Sequence, residues 1–202
     1  MDSKESHSEN EPIHWYVMSV YAHNMKKAEE ALVSRNDLCY FIPKQYVLRT
    51  YHGQTRRELV PLISGLLFLY ATYEQADEFQ KSYPFIGFLK SHSGTGRHTM
   101  IVPDVAMKEF IDVARHYEED LIYYRPEELQ LEKGTKVRIV GGVFDGAVGT
   151  MLKLKGKREK RLVVSLPGIL AVAAAHISPE YIQIITENHK IDKTKIKTNI
   201  IN

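Results

Sequence analysis

The sequence predicts an α+β protein: a first half that mixes strands with helices, and a second half built from strands alone. Three observations carry this reading. Residues 14–21 form a strand-length run rich in aromatic and β-branched side chains. Met25, Ala28 and Leu32, and later Met107, Phe110, Ile111 and Ala114, recur at helical spacing. From residue 136 onward, five short segments separated by Gly or Pro turns alternate apolar with polar residues or stay apolar, the pattern of a small closed barrel.

Taken in order, residues 1–12 are polar, lack an apolar signal core and read as a disordered tail. After the first strand, Asn24 is placed to cap a helix running to residue 34. A short strand at 39–43 leads into a hairpin, 45–51 and 56–61, around the polar turn His52-Gly53-Gln54. Residues 66–70 are continuously apolar, as expected of a central strand covered on both faces. A helix at 74–82, a strand at 85–89, a loop at 93–96 and a helix at 103–117 complete the first half, with Pro103 suited to a first helical position. Residues 118–131 carry Glu and Pro and read as a linker. Strands then follow at 136–139, 148–155, 161–166, 170–177 and 181–185, and residues 187–202 read as a basic, solvated tail.

Composition narrows the class. The chain of 202 residues is 44% hydrophobic and 26% charged, ordinary for a globular protein, with a net charge of only +2. Positive charge concentrates in residues 152–161, where Lys153, Lys155, Lys157, Arg158, Lys160 and Arg161 face one acid, Glu159. The single Cys39 permits no internal disulfide, which fits a reducing compartment. No run approaches the roughly 20 apolar residues of a membrane helix. A cytoplasmic protein without a membrane partner is expected.

The strongest local motif is residues 134–149, GTKVRIVGGVFDGAVG. It reads as strand, glycine turn and second strand. Gly142 and Gly146 supply positive φ, Gly149 lets a neighbouring backbone approach, and Phe144 can plug a barrel mouth. This segment resembles the KOW motif. The first half resembles the N-terminal (NGN) domain of NusG-type transcription factors. Trp15-Tyr16-Val17, Phe41-Ile42-Pro43, an arginine-bearing hairpin and the run from Pro61 to Leu69 come in that family's order. The resemblance implies an NGN α/β sandwich at 13–117, an antiparallel sheet flanked by helices, and a five-stranded SH3-like KOW barrel at 132–186. Tyr123-Tyr124-Arg125-Pro126-Glu127-Glu128, and Ile63-Ser64-Gly65-Leu66 in place of the usual Phe-Pro-Gly-Tyr, are most similar to the specialised UpxY-like antiterminators of capsule operons.

That resemblance implies a non-enzymatic elongation or antitermination factor. Its contact with the RNA polymerase clamp coiled coil would use Tyr16, Tyr21, Leu62, Ile63 and Leu66. Arg49, Arg56 and Arg57, on or beside the hairpin, could contact nucleic acid near the upstream fork, or be a solvated face. Phe144, Lys153, Lys155, Arg158 and Arg161 mark the barrel surface that would meet RNA, a ribosomal protein or a termination factor. An RNA-binding or ribosome-associated KOW adaptor is the alternative. No cofactor is expected: the nine His show no ligand-spaced pair, and Ser93-Gly94-Thr95-Gly96-Arg97 lacks the ending of a phosphate loop. His176 reads as a satisfied barrel residue, and no nucleophile or acid-pair motif is visible.

Overall fold

The structure is a computed structural model that describes residues 11–21, 23–93, 96–116, 121–124, 134–153, 160–174 and 177–185. Its elements are β1 (His14–Val20), α1 (Met25–Val33), β2 (Cys39–Phe41), β3 (Lys44–Tyr51), β4 (Gln54–Pro61), β5 (Leu66–Ala71), α2 (Tyr73–Ser82), β6 (Ile86–Phe88), β7 (Lys90–Ser93), β8 (Gly96–Thr99) and β9 (Ile101–Val102). They continue with α3 (Asp104–Ala114), β10 (Leu121–Tyr124), β11 (Thr135–Ile139), β12 (Val148–Lys153), β13 (Lys160–Leu166), β14 (Leu170–Ala174), a 3-10 turn at Pro179–Tyr181, and β15 (Ile182–Ile184). Among the described residues, mostly antiparallel sheets with three α-helices make this an α+β fold. The chain divides into two compact units, residues 1–42 with 64–103, and residues 43–63 with 104–202. This division cuts elsewhere than the expected segments 13–117 and 132–186. α3 falls in the second unit because it lies against β12, β13 and β14.

The first unit is organised by β1 and β5. They pair antiparallel from His14 opposite Ala71 to Ser19 opposite Leu66, and the sheet order is β2-β5-β1-β6, with β9 also on β1. Along β5 every residue but Tyr70 is buried, as its unbroken apolar run predicts. Alternation sends Tyr16, Met18, Val20, Leu67 and Leu69 into one core with Ala28, Ala31 and Leu32 of α1 and Ala76 and Phe79 of α2. Burying a side chain such as Phe79 is worth roughly 2–3 kcal/mol.

The two helices of this unit start differently. Asn24 holds the expected N-cap position of α1, and its carbonyl accepts from Ala28 N–H at 2.9 Å, but its side chain makes no capping bond. Its amide donates instead to the Tyr21 carbonyl at 2.9 Å, so the side chain is spent on the preceding turn. α2 carries a full capping box: Thr72 Oγ1 accepts from Gln75 N–H at 3.2 Å, and Gln75 Oε1 accepts from Thr72 N–H at 3.0 Å. The entry to β5 depends on Gly65. Its φ is +84°, its carbonyl accepts from Val20 N–H at 2.7 Å, and an added Cβ would stand 2.5 Å from Val20 O.

In the second unit, six strands pair in the order β10-β14-β13-β12-β11-β15. The five expected strands gain a sixth, β10, from within the segment read as a linker. β10 pairs with β14 from Leu121 opposite Ala174 to Tyr124 opposite Ala171. Its residues are half-buried: Tyr124 packs on Leu152, Val163 and Ala171, and Tyr123 Oη donates to the Ala114 carbonyl at 3.5 Å. The sheet is therefore buried on both faces near its middle, where simple alternation predicted one wet face. Val137, Ile139, Leu162, Val164, Leu166, Leu170 and Val172 fill one side. Leu152, Val163 and Ala171 lie beneath Tyr124 on the other.

The glycines of the turn behave as their positions require. Gly142 and Gly146 take φ +69° and +83°. A Cβ on Gly149 would come within 2.9 Å of Val163 O, so only glycine lets β12 and β13 approach there.

Two consequences can be measured. Gly65→Ala will lower unfolding stability by about 2 kcal/mol or more, because it forces positive φ on alanine and drives a methyl into a backbone oxygen. A denaturant midpoint equal to wild type would refute this. Burial pushes the Tyr123 hydroxyl from 10.0 up to about 12. The folded state thus keeps a proton that the unfolded state releases. The stability difference between wild type and Tyr123→Phe is constant below pH 10 and shifts against wild type as pH rises toward about 12. Parallel pH profiles for the two proteins would contradict the burial.

Candidate interaction surfaces

In the first unit, the residues expected at the surface separate sharply. Tyr16 is 3% exposed and Leu66 7%, whereas Tyr21 is 59% exposed. Both buried residues lie on the central strands β1 and β5. Tyr16 points into the helix-covered core, with Phe88 and Tyr73 rings at 5.5 and 6.3 Å. Burial, then the charge of Glu11, raises the Tyr16 hydroxyl above its ordinary pKa. Tyr16 and Leu66 are core residues, and a surface role for them is corrected. Tyr21 follows β1 directly, is fixed by its N–H donating to the Phe85 carbonyl at 2.8 Å, and projects into solvent.

In the second unit, Leu62 and Ile63 are half-buried just past β4. Leu62 N–H donates to the Pro43 carbonyl at 2.8 Å, which closes the base of the β3–β4 hairpin. At the tip, His52 and Gly53 have φ of +48° and +79°, the two-residue turn whose twist suits a hairpin. Arg49 and Arg56 sit opposite each other on one face, and Arg57 sits on the other, opposite Leu48. All three are exposed but locally engaged. Arg49 bonds the Tyr51 hydroxyl at 3.3 Å and pairs with Glu58 at 3.3 Å. Arg56 donates to Gln54 Oε1 at 3.2 Å, and the Arg57 guanidinium lies 3.8 Å over the Tyr46 ring. The face is cationic, but its charge is partly answered within the hairpin.

Around the glycine turn of the same unit, Phe144 is 6% exposed and meets His116 edge to face at 5.2 Å. It plugs the unit, as its position in the motif suggested, and so cannot serve as a partner surface. The side chains that do face solvent there are Val140, Val143 and Tyr181, while Ile184 is exposed farther along β15, opposite Val137. Val140 N–H donates to the Tyr181 carbonyl at 2.8 Å, and the Tyr181 ring packs against Gly141 and Gly142, where an added Cβ would come within 3.0 and 3.4 Å of it. Sequence reading missed this patch. Its signal was the pair of valines flanking Gly141-Gly142, which belong to a turn and not to an alternating strand. Lys153 is exposed and Arg161 half-buried, while Lys155, Arg158 and His176 lie outside the described residues. Among the described residues, no group of His, Cys, Asp or Glu could hold a metal ion, and no helix is long and apolar enough to cross a membrane.

The different burial of two neighbours is testable. Phe144→Ala will cost about 3 kcal/mol of stability, while Val143→Ser will stay within about 0.5 kcal/mol of wild type. Equal, small losses at both sites would return Phe144 to the surface.

Residues 13–111 match the protein family described as Transcription termination factor nusG. A solved structure described as the domain interaction in Thermotoga maritima NusG is matched at 20% identity, over 87% of this chain and 98% of that one, with a TM-score of 0.36. No curated protein is matched.

Proposed function

The chain is a NusG-like factor, and from that premise we propose that it binds the clamp coiled coil of RNA polymerase and suppresses pausing or termination. The family is one of non-enzymatic transcription elongation and antitermination factors that bind RNA polymerase. The observation that carries the proposal is the family match over residues 13–111, which spans both sets of accessible apolar candidates. Tyr21 on the first unit, and Leu62 and Ile63 on the second, are the contact residues in this reading. Each is apolar or aromatic and offers surface to a partner helix. Such a factor needs no bond chemistry. It acts if it binds the closed clamp more tightly than the open one, and a difference of about 1.4 kcal/mol shifts that equilibrium tenfold.

The second unit is read as the KOW module. Its exposed turn residues Val140, Val143 and Tyr181, with Lys153 beside the basic run, would recruit a ribosomal protein, a termination factor or RNA. The departure Ile63-Ser64-Gly65-Leu66 and the Tyr123-Tyr124-Arg125-Pro126 segment support a specialised role on polysaccharide operons. In this reading Arg49, Arg56 and Arg57, exposed on the β3–β4 hairpin, contact nucleic acid near the upstream fork. If the first unit were a mere adaptor, RNA would bind without any polymerase contact.

Retention on the isolated clamp coiled coil decides between these readings. Ile63→Glu will reduce retention at least tenfold, about 1.4 kcal/mol, with an unchanged circular-dichroism spectrum. Wild-type retention by the variant would remove Ile63 from the contact. RNA binding by a wild-type protein that the coiled coil does not retain would establish the adaptor instead.

A further inference from the structure

A sheet edge is a row of unpaired N–H and C=O groups, and proteins blunt it with charge, proline or brevity. The sheet of the second unit treats its two sides differently. At one edge stands β15, three residues long and preceded by Pro179 and Glu180. Toward the other lies β14, Leu170-Ala171-Val172-Ala173-Ala174, which contains no charge and no proline. Nothing in β14 itself discourages a further strand, and one is present: β10 pairs with it antiparallel over four residues.

The pairing has the form of a peptide seated in a site. The ladder runs from Leu121 opposite Ala174 to Tyr124 opposite Ala171. The Tyr124 ring covers an apolar floor made by Leu152 of β12, Val163 of β13 and Ala171 of β14, which are 5%, 3% and 2% exposed. Tyr123 Oη donates to the Ala114 carbonyl at the end of α3, at 3.5 Å. Three strands thus build the floor, and β10 supplies the ring that fills it. No residue of β10 is fully buried, and among the described residues it pairs with β14 alone. Four residues of ladder, one ring and one long hydrogen bond hold it, few enough for a strand of like pattern to compete.

We propose that the β14 edge is a strand-acceptor site with β10 as its resident occupant, and that it takes an extended segment of a partner protein bearing an aromatic side chain where Tyr124 sits. Main-chain pairing supplies the affinity, and the floor of Leu152, Val163 and Ala171 selects the side chain. Displacing β10 also breaks its hold on the end of α3. This does not rest on the polymerase contact, because it is measured on the protein alone.

The probe is a synthetic peptide with the sequence of residues 119–126, and the readout is amide hydrogen exchange in the full chain. One of any two successive strand N–H groups faces the neighbouring strand, so Ile122→Pro/Tyr123→Pro removes a ladder donor whichever it is. This variant will exchange at least tenfold faster at Leu170–Ala174 while β11 and β12 stay protected. The peptide will restore protection of β14 in the variant, and the same peptide carrying Tyr124→Ala will not. Wild type will bind the peptide at least tenfold more weakly than the variant, because tethered β10 competes at an effective concentration on the order of millimolar. If the proline variant loses protection in β11 and β12 as well, Tyr124→Ala, which leaves the backbone intact, replaces it under the same readouts. Three results overturn the proposal: wild-type protection of β14 in the variant, no restoration by the peptide, or equal peptide binding by wild type and variant.

Discussion

The antiparallel ladder between β1 and β5 is the constraint on which the first unit depends. β5 is apolar on both faces, so it must be covered on both, and β1 is its direct partner. One-residue alternation then fixes which side chains enter the helix-covered core and which do not. Gly65 sets where the ladder begins, because its carbonyl holds Val20 N–H and its missing side chain makes room for Val20 O. The accessible residues follow from this arrangement. Tyr21 reaches solvent because it stands one residue past the end of β1, while Tyr16 is held inside it.

The second unit solves a different problem. A sheet of short strands has two edges and two faces to satisfy. β10 answers part of both needs: it pairs with the open side of β14, and its Tyr124 covers Leu152, Val163 and Ala171. Helix α3 adds the Ala114 carbonyl as an acceptor for Tyr123 and places Glu109 3.3 Å from Lys136. What remains exposed is the turn side, where Tyr181 lies across Gly141 and Gly142.

The fold was legible wherever side-chain chemistry repeats along an element. Residues 14–21 and 66–70 announced their strands, and the helical stripes of α1 and α3 placed those helices within a few residues. β10 was not legible, because Leu121–Tyr124 is only four residues long and lies between charged segments. β7 and β8 were not legible either: their residues are polar on both faces, and only backbone pairing reveals them. The site was less legible than the fold. Aromatic and aliphatic residues on a doubly covered strand look the same whether they face a core or a partner. Tyr16 and Leu66 were therefore indistinguishable by sequence from Tyr21. Tyr21, Leu62 and Ile63 each stand just outside a regular element and keep accessible surface.

A factor that works by fit must change how long polymerase dwells, in proportion to occupancy and without turnover. The direct measurement is the lifetime of a defined pause, with purified polymerase and increasing amounts of this protein. The account predicts a pause that shortens and saturates near one protein per polymerase. A lifetime unchanged at saturating protein, or an effect completed by far less than one protein per polymerase, would contradict it.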